Sequence, residues 1–189
     1  MLIAKRIITL GAVLLAILFV ARAVVCAQER EHEVRAAAQY QWLHLPGTTF
    51  PVGVNGEVSA AIRTPFVLVV EGGWAPKHVV ELSTNARMID FGAGVRLMSA
   101  APKFRPFVQV IAGGINLGVR GTVGSVTGSA SQTWFQLEPG AGVHVDVRPK
   151  AAIVASVHVR WAFLDQAAFE PPGQKQFRAL AGVSVQLFN

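Results

Sequence analysis

The chain has 189 residues, with 17 Lys+Arg against 11 Asp+Glu, 52% hydrophobic and 15% charged residues, 18 Gly and one Cys. Sparse charge and abundant apolar side chains exclude a disordered chain, and a lone cysteine excludes an internal disulfide framework. The charged share lies well below the ~25% of ordinary soluble domains, which points to a membrane or to a large buried surface.

Lys5 and Arg6 precede an apolar run from Ile7 to Ala21, then Arg22 and Val25-Cys26-Ala27. A basic start, a short apolar core and small residues before a cut predict a secretory signal peptide over residues 1–27, removed on export. The run is shorter than the ~20 residues an anchoring helix needs. Cys26 raises a lipid-modified alternative, which the bulk of Val25 disfavours. Losing Lys5, Arg6 and Arg22 lowers the 17 basic residues to 14 against 11 acidic ones, net +3. The remaining Lys and Arg are spaced singly, so nucleic acid is excluded as a partner.

From Arg35 onward the pattern has period 2, as strands require. Four weaker segments cover about 35–44, 51–62, 66–74 and 104–117. Four clearer ones cover 89–97, 134–147, 153–161 and 177–187. In the last, Phe177, Ala179, Ala181, Val183, Val185 and Leu187 alternate with Arg178, Leu180, Gly182, Ser184 and Gln186. Phe107 to Gly114 is apolar on both faces and has no assignable phase. Tight links at Thr64-Pro65, 99–103 and Pro149-Lys150 alternate with long ones at 75–86, 118–132 and 165–175. Short turns at one rim and longer loops at the other are the pattern of an up-and-down membrane barrel.

Alternation alone does not separate a membrane barrel from a soluble one, because each inverts the other. The polar phase mixes charges of both signs with glycines (Gly92, Gly94, Gly140, Gly142, Gly182). A narrow lumen needs such small neighbours for its long charged side chains, and a wet surface does not. Trp42, Trp74, Trp134 and Trp161 map to the long-loop rim with Tyr40, and Phe66, Phe104 and Phe188 to the other. Two aromatic girdles at headgroup level follow.

The stretches Phe91-Gly92-Ala93-Gly94-Val95-Arg96, Arg105 to Gly114, Leu137 to Val143 and Phe177 to Phe188 carry a resemblance. The chain resembles the small bacterial outer-membrane β-barrels of the OmpA/OmpX type over the whole of its mature length. That resemblance implies an all-β, eight-stranded antiparallel transmembrane barrel over 28–189 in the bacterial outer membrane, inserted by the barrel-assembly machinery. The family commonly ends on an aromatic residue, whereas here Phe188 is penultimate and Asn189 last, so recognition by that machinery departs from the usual pattern.

Eight strands leave an interior that side chains can fill. Glu57, Glu71, Asp90, Arg96, Glu138, Arg148, Arg160 and Arg178 are expected to pair there as a structural network without an open pore. Ser156, His158, His144 and Asp146 share the inward phase of two adjacent strands, in the residue types of a nucleophile, a base and an orienting acid. A three-residue turn over 149–151 would set His144 opposite Ser156. This makes a lipid-modifying hydrolase one alternative function. A metal held by His144, His158 and Asp146 is a weaker one, and a secreted barrel with an apolar ligand inside is another. The expected reading is a monomeric, non-enzymatic barrel in outer-membrane lipid, without cofactor or metal. Its loops 75–86, 118–132 and 165–175 would meet an extracellular ligand.

Overall fold

The computed structural model describes residues 33–79, 84–123, 126–163 and 175–188. The signal segment 1–27 and most of the loop read at 165–175 lie outside the described residues. Eight strands follow one another: β1 (Val34–Leu45), β2 (Thr48–Arg63), β3 (Phe66–Val79), β4 (Thr84–Met98), β5 (Phe104–Val123), β6 (Val126–Arg148), β7 (Ala151–Phe163) and β8 (Lys175–Phe188). Each pairs antiparallel with its neighbour, and β8 closes onto β1 from Val34↔Phe188 to His44↔Phe177. The predicted all-β barrel of eight strands is the fold observed.

The period-2 phases fall as read. Val58, Val70, Phe91, Val157, Val183 and Leu187 are exposed on the outside of the wall, whereas Glu57, Glu71, Asp90, Glu138, Arg160 and Arg178 are buried within it. A soluble barrel would bury the first set and expose the second. β5, whose phase the sequence left open, turns Arg105, Phe107, Gln109, Ile111 and Ile115 inward and Val108 and Val110 outward. Its two-sided apolarity arises because part of the lumen filling is itself apolar.

Inward glycines stand where a large side chain crosses the lumen. A Cβ on Gly73 would collide with the side chains of Gln41 and Asp90, and one on Gly140 with the His158 ring. Gly47 has a different task, since its φ of 81° closes the tight link between β1 and β2, a conformation that disfavours a Cβ.

Four expectations need correction. The segments read as loops at 75–86 and 118–132 are largely strand, because β3 and β4 pair from Phe66↔Leu97 to Val79↔Thr84 and β5 and β6 out to Val123↔Val126. The polar Gly/Ser/Thr sequence of 118–132 does not interrupt the pairing, because the backbone ladder continues regardless of side-chain polarity. The β6–β7 link is a two-residue turn, with Arg148↔Ala151 and a bulge between Asp146 and Arg148. His144 therefore faces Val154, and Ser156 faces Gly142. The same bulge shifts the phase of Arg148, which is exposed rather than part of the lumen network. Trp134 shares the inward phase with Gln136 and Glu138 and is half-buried, so it does not stand with Trp74 and Trp161 on the outer face.

Orientation is testable at a single outward position. Val157→Arg, mid-way along β7, is expected to lower stability by about 2–4 kcal/mol in lipid vesicles, measured by urea unfolding. A water-facing position would respond within about 0.5 kcal/mol.

Candidate functional site: an ionic lumen

The strand ends order the interior into layers. Nearest the short-turn rim, Arg35, at the start of β1, pairs with Glu33 and lies 3.7 Å from Asp146, near the end of β6. Arg105, at the start of β5, is 2.7 Å from Asp146 and 3.6 Å from Glu33. One layer further in, Arg96 Nη2 donates to Glu57 at 2.8 Å and Nε donates to Gln109 Oε1 at 2.7 Å. Its guanidinium lies 4.2 Å from the Phe107 ring centroid, and Nη1 is 3.2 Å from His144 Nε2.

The central layer is the most heavily charged. Arg178 reaches Asp90 at 2.7 Å through Nη1, Glu138 at 2.7 Å through Nε, and Glu71 through Nη2. Arg160 adds Glu138 at 2.7 Å and Asp90 at 3.2 Å. Two guanidiniums thus hold three carboxylates, all of them essentially without solvent exposure. Gln41 Nε2 donates to Asp90 at 3.3 Å, which satisfies more of that carboxylate. Such a layer is stable only as a whole, because a buried charge without its partner carries an uncompensated desolvation penalty of several kcal/mol.

Toward the long-loop rim the character reverses. Leu43, Leu45, Phe50, Ala75, Met88, Ile115 and Ala162 form a buried apolar cluster, with Ala86 and Leu117 against it. A second buried apolar cluster, Val67, Val69 and Ile111 with Ala61 and Met98 against it, lies toward the short-turn rim beside the charged layers.

Seven of the eight residues expected in the lumen network lie inside and touch a partner, and Arg148 does not. Arg35, Arg105, Gln41 and Gln109 belong to the same interior and are not among the expected set. Arg105 and Gln109 are legible once β5 has a phase, since both share the alternation of Phe107 and Ile111. The hydrolytic constellation assembles only in part. His158 Nε2 lies 2.8 Å from Ser156 Oγ, and its Nδ1 lies 3.0 Å from Glu138 rather than from Asp146. His144 and Asp146 sit in other layers, with Arg96 and Arg105. The order hydroxyl, imidazole, carboxylate is that of a nucleophile and its base. Here, however, Glu138 is clamped by two arginines, and Ser156 faces the interior, away from any acyl chain on the outer wall. The three groups of the alternative metal reading do not converge, and the described residues hold no cluster of three His, Cys, Asp or Glu suited to one.

No family model and no curated protein matches the chain. Solved structures do. Neisserial surface protein A is similar at a TM-score of 0.62 and 14% identity, over 82% of this chain and 97% of its own. A major outer-membrane protein of Thermus thermophilus matches at 0.62 and 12% identity, over 82% and 99%. Ail, the attachment invasion locus protein of Yersinia pestis, matches at 0.57 and 14% identity, over 85% and 100%. The fold is that of the small outer-membrane β-barrels. At such identities the likeness extends to architecture, and the filling of the lumen is this chain's own.

Removing the central cation separates a structural network from a decorative one. Arg178→Met leaves Glu71, Asp90 and Glu138 short of a partner and is expected to cost about 3–5 kcal/mol, read as a lower urea midpoint in lipid. Arg148→Met, at an exposed position, should change stability by less than about 0.5 kcal/mol.

Proposed function

We propose that the chain is an exported outer-membrane protein whose barrel is an anchor and whose function lies in surface contact, without catalysis and without an open pore. The observation that carries this reading is the inverted polarity: apolar stripes outside the wall and paired charges within it. Inside, the paired arginines and carboxylates and the apolar cluster near the outer end fill the volume that a pore would need. Interior ion pairs of this kind mainly satisfy buried polar groups, so they supply rigidity rather than chemistry. A signal peptide over 1–27 and insertion by the barrel-assembly machinery belong to the same reading.

The surface element is the hairpin of β5 and β6. Those strands have 20 and 23 residues, about twice the 9–11 that a tilted strand needs to cross the hydrocarbon. Beyond the outer aromatics the described residues carry Lys77, Arg87, Arg120 and Lys175, and the sequence between β3 and β4 and between β7 and β8 adds Glu81, Asp165 and Glu170. A polyanion pairs with cations of this kind. One structure of Ail is a complex with the heparin analogue sucrose octasulfate, and the same ligand class suits the cations here.

Four measurements test the proposal. Membrane fractionation should place the protein with the outer membrane, and the folded form should migrate differently from the boiled form on a gel. Planar bilayers containing the purified barrel should show no conductance steps, and regular steps would overturn the filled lumen. Sucrose octasulfate should bind with an affinity that falls as salt rises, and Arg87→Gln with Arg120→Gln should weaken it about tenfold, the order of 1.4 kcal/mol.

A further inference from the structure

The two ends of the barrel differ in more than their turns. Apolar side chains cluster toward the outer end, and at the short-turn end the described residues line a cavity of about 720 Å³. Its lining includes four bases, Arg35, Lys103, Arg148 and Lys150, and two acids, Glu33 and Asp146. The acids are already engaged, because both lie within ion-pair distance of Arg35 and Arg105. Lys103, Arg148 and Lys150 are exposed and have no carboxylate within ion-pair distance among the described residues. Arg35 is 4% exposed, and its Nη1 is buried without a hydrogen-bond acceptor among the described residues. A buried guanidinium nitrogen left unpaired is costly, and Arg35 is one of the residues that line the cavity.

Charge and shape together specify the ligand. The lining has a surplus of two positive charges, set on the walls of a concave mouth whose low-dielectric surroundings focus the field. A phosphate monoester carries about −1.5 to −2 charge at neutral pH and three acceptor oxygens, and the phosphodiester of a phospholipid carries a single negative charge shared by its two unesterified oxygens. Either suits this surplus and can accept from a guanidinium and an ammonium at once. A cavity of this size also exceeds a bare ion and admits the molecule that carries the phosphate.

We infer that the short-turn mouth is an oxyanion site that binds a phosphate group, presented by a soluble molecule or by a phospholipid headgroup of the adjoining leaflet. Arg35 supplies the fixed donor at its base, and Lys103, Arg148 and Lys150 supply the mobile donors at its rim. That this rim faces the periplasm rests on the proposed function above, but the chemistry of the site does not.

The mature chain folded in micelles of a phosphate-free maltoside detergent leaves both ends open to solvent, and inorganic phosphate is the probe. Saturable binding at millimolar concentrations or below is expected. The combined variant Lys103→Gln, Arg148→Gln, Lys150→Gln changes only exposed groups and should weaken it at least tenfold, whereas Arg87→Gln with Arg120→Gln at the other rim should leave it unchanged. Phospholipid nanodiscs of zwitterionic headgroup separate the sources. Loss of phosphate binding there identifies the headgroup as occupant, and unchanged binding identifies a soluble phosphate compound. Absence of saturable binding in the micelles, or binding indifferent to the three rim substitutions, overturns the site. Failure of the chain to fractionate with the outer membrane would instead remove the proposed location and leave this result standing.

Discussion

A sheet edge exposed to hydrocarbon leaves a row of N–H and C=O groups unpaired, each at a cost of several kcal/mol. The pairing of β8 with β1 removes that edge, and the rest of the structure depends on it. Closure fixes which side of every strand is inside. Once it does, a period-2 sequence has two choices only: charges in and apolar groups out, or the reverse. Val58, Val157 and Val183 on the outside, with Glu57, Arg160 and Ser184 within, represent the first choice along three different strands.

A closed wall with polar residues inside creates a second problem, because a narrow interior takes its charges out of bulk water. The solution is dense pairing. Arg178 reaches carboxylates from three other strands, β3, β4 and β6, and so ties opposite parts of the wall across the axis. Glycines at the crossing points keep space for these side chains, as Gly140 does under the His158 ring. Pairing of this sort contributes little net stability against an apolar filling of equal shape, but it strongly penalises any arrangement that separates the partners. The chosen register is thereby favoured over its slipped alternatives.

The interior mixes charged layers with apolar ones. An apolar cluster around Leu43, Phe50 and Ile115 lies toward the outer end, a smaller one around Val67 and Ile111 lies toward the other, and charged side chains line the mouth there. Outside, the β5–β6 hairpin extends well past the wall. An extended hairpin thus stands at one end of the wall and a concave mouth lined by bases at the other.

Much of this was written in the chain itself. Alternation and the positions of Phe66, Phe104 and Phe188 specified the barrel and its inside-out polarity, because side-chain period is a local property. The link lengths read from the chain, by contrast, mistook strand for loop at 75–86 and 118–132. The inward set Glu57, Glu71, Asp90, Glu138, Arg160 and Arg178 followed directly from phase. Contacts across the axis did not. That His158 would meet Glu138 and not Asp146, or that Arg148 would leave the lumen, turned on one bulged residue before the β6–β7 turn. A one-residue slip reverses every side chain beyond it, and no local preference of the sequence marks where the slip is absorbed. The apolar cluster toward one end and the charged mouth at the other were equally a matter of tertiary structure, since each is assembled from strands distant in sequence.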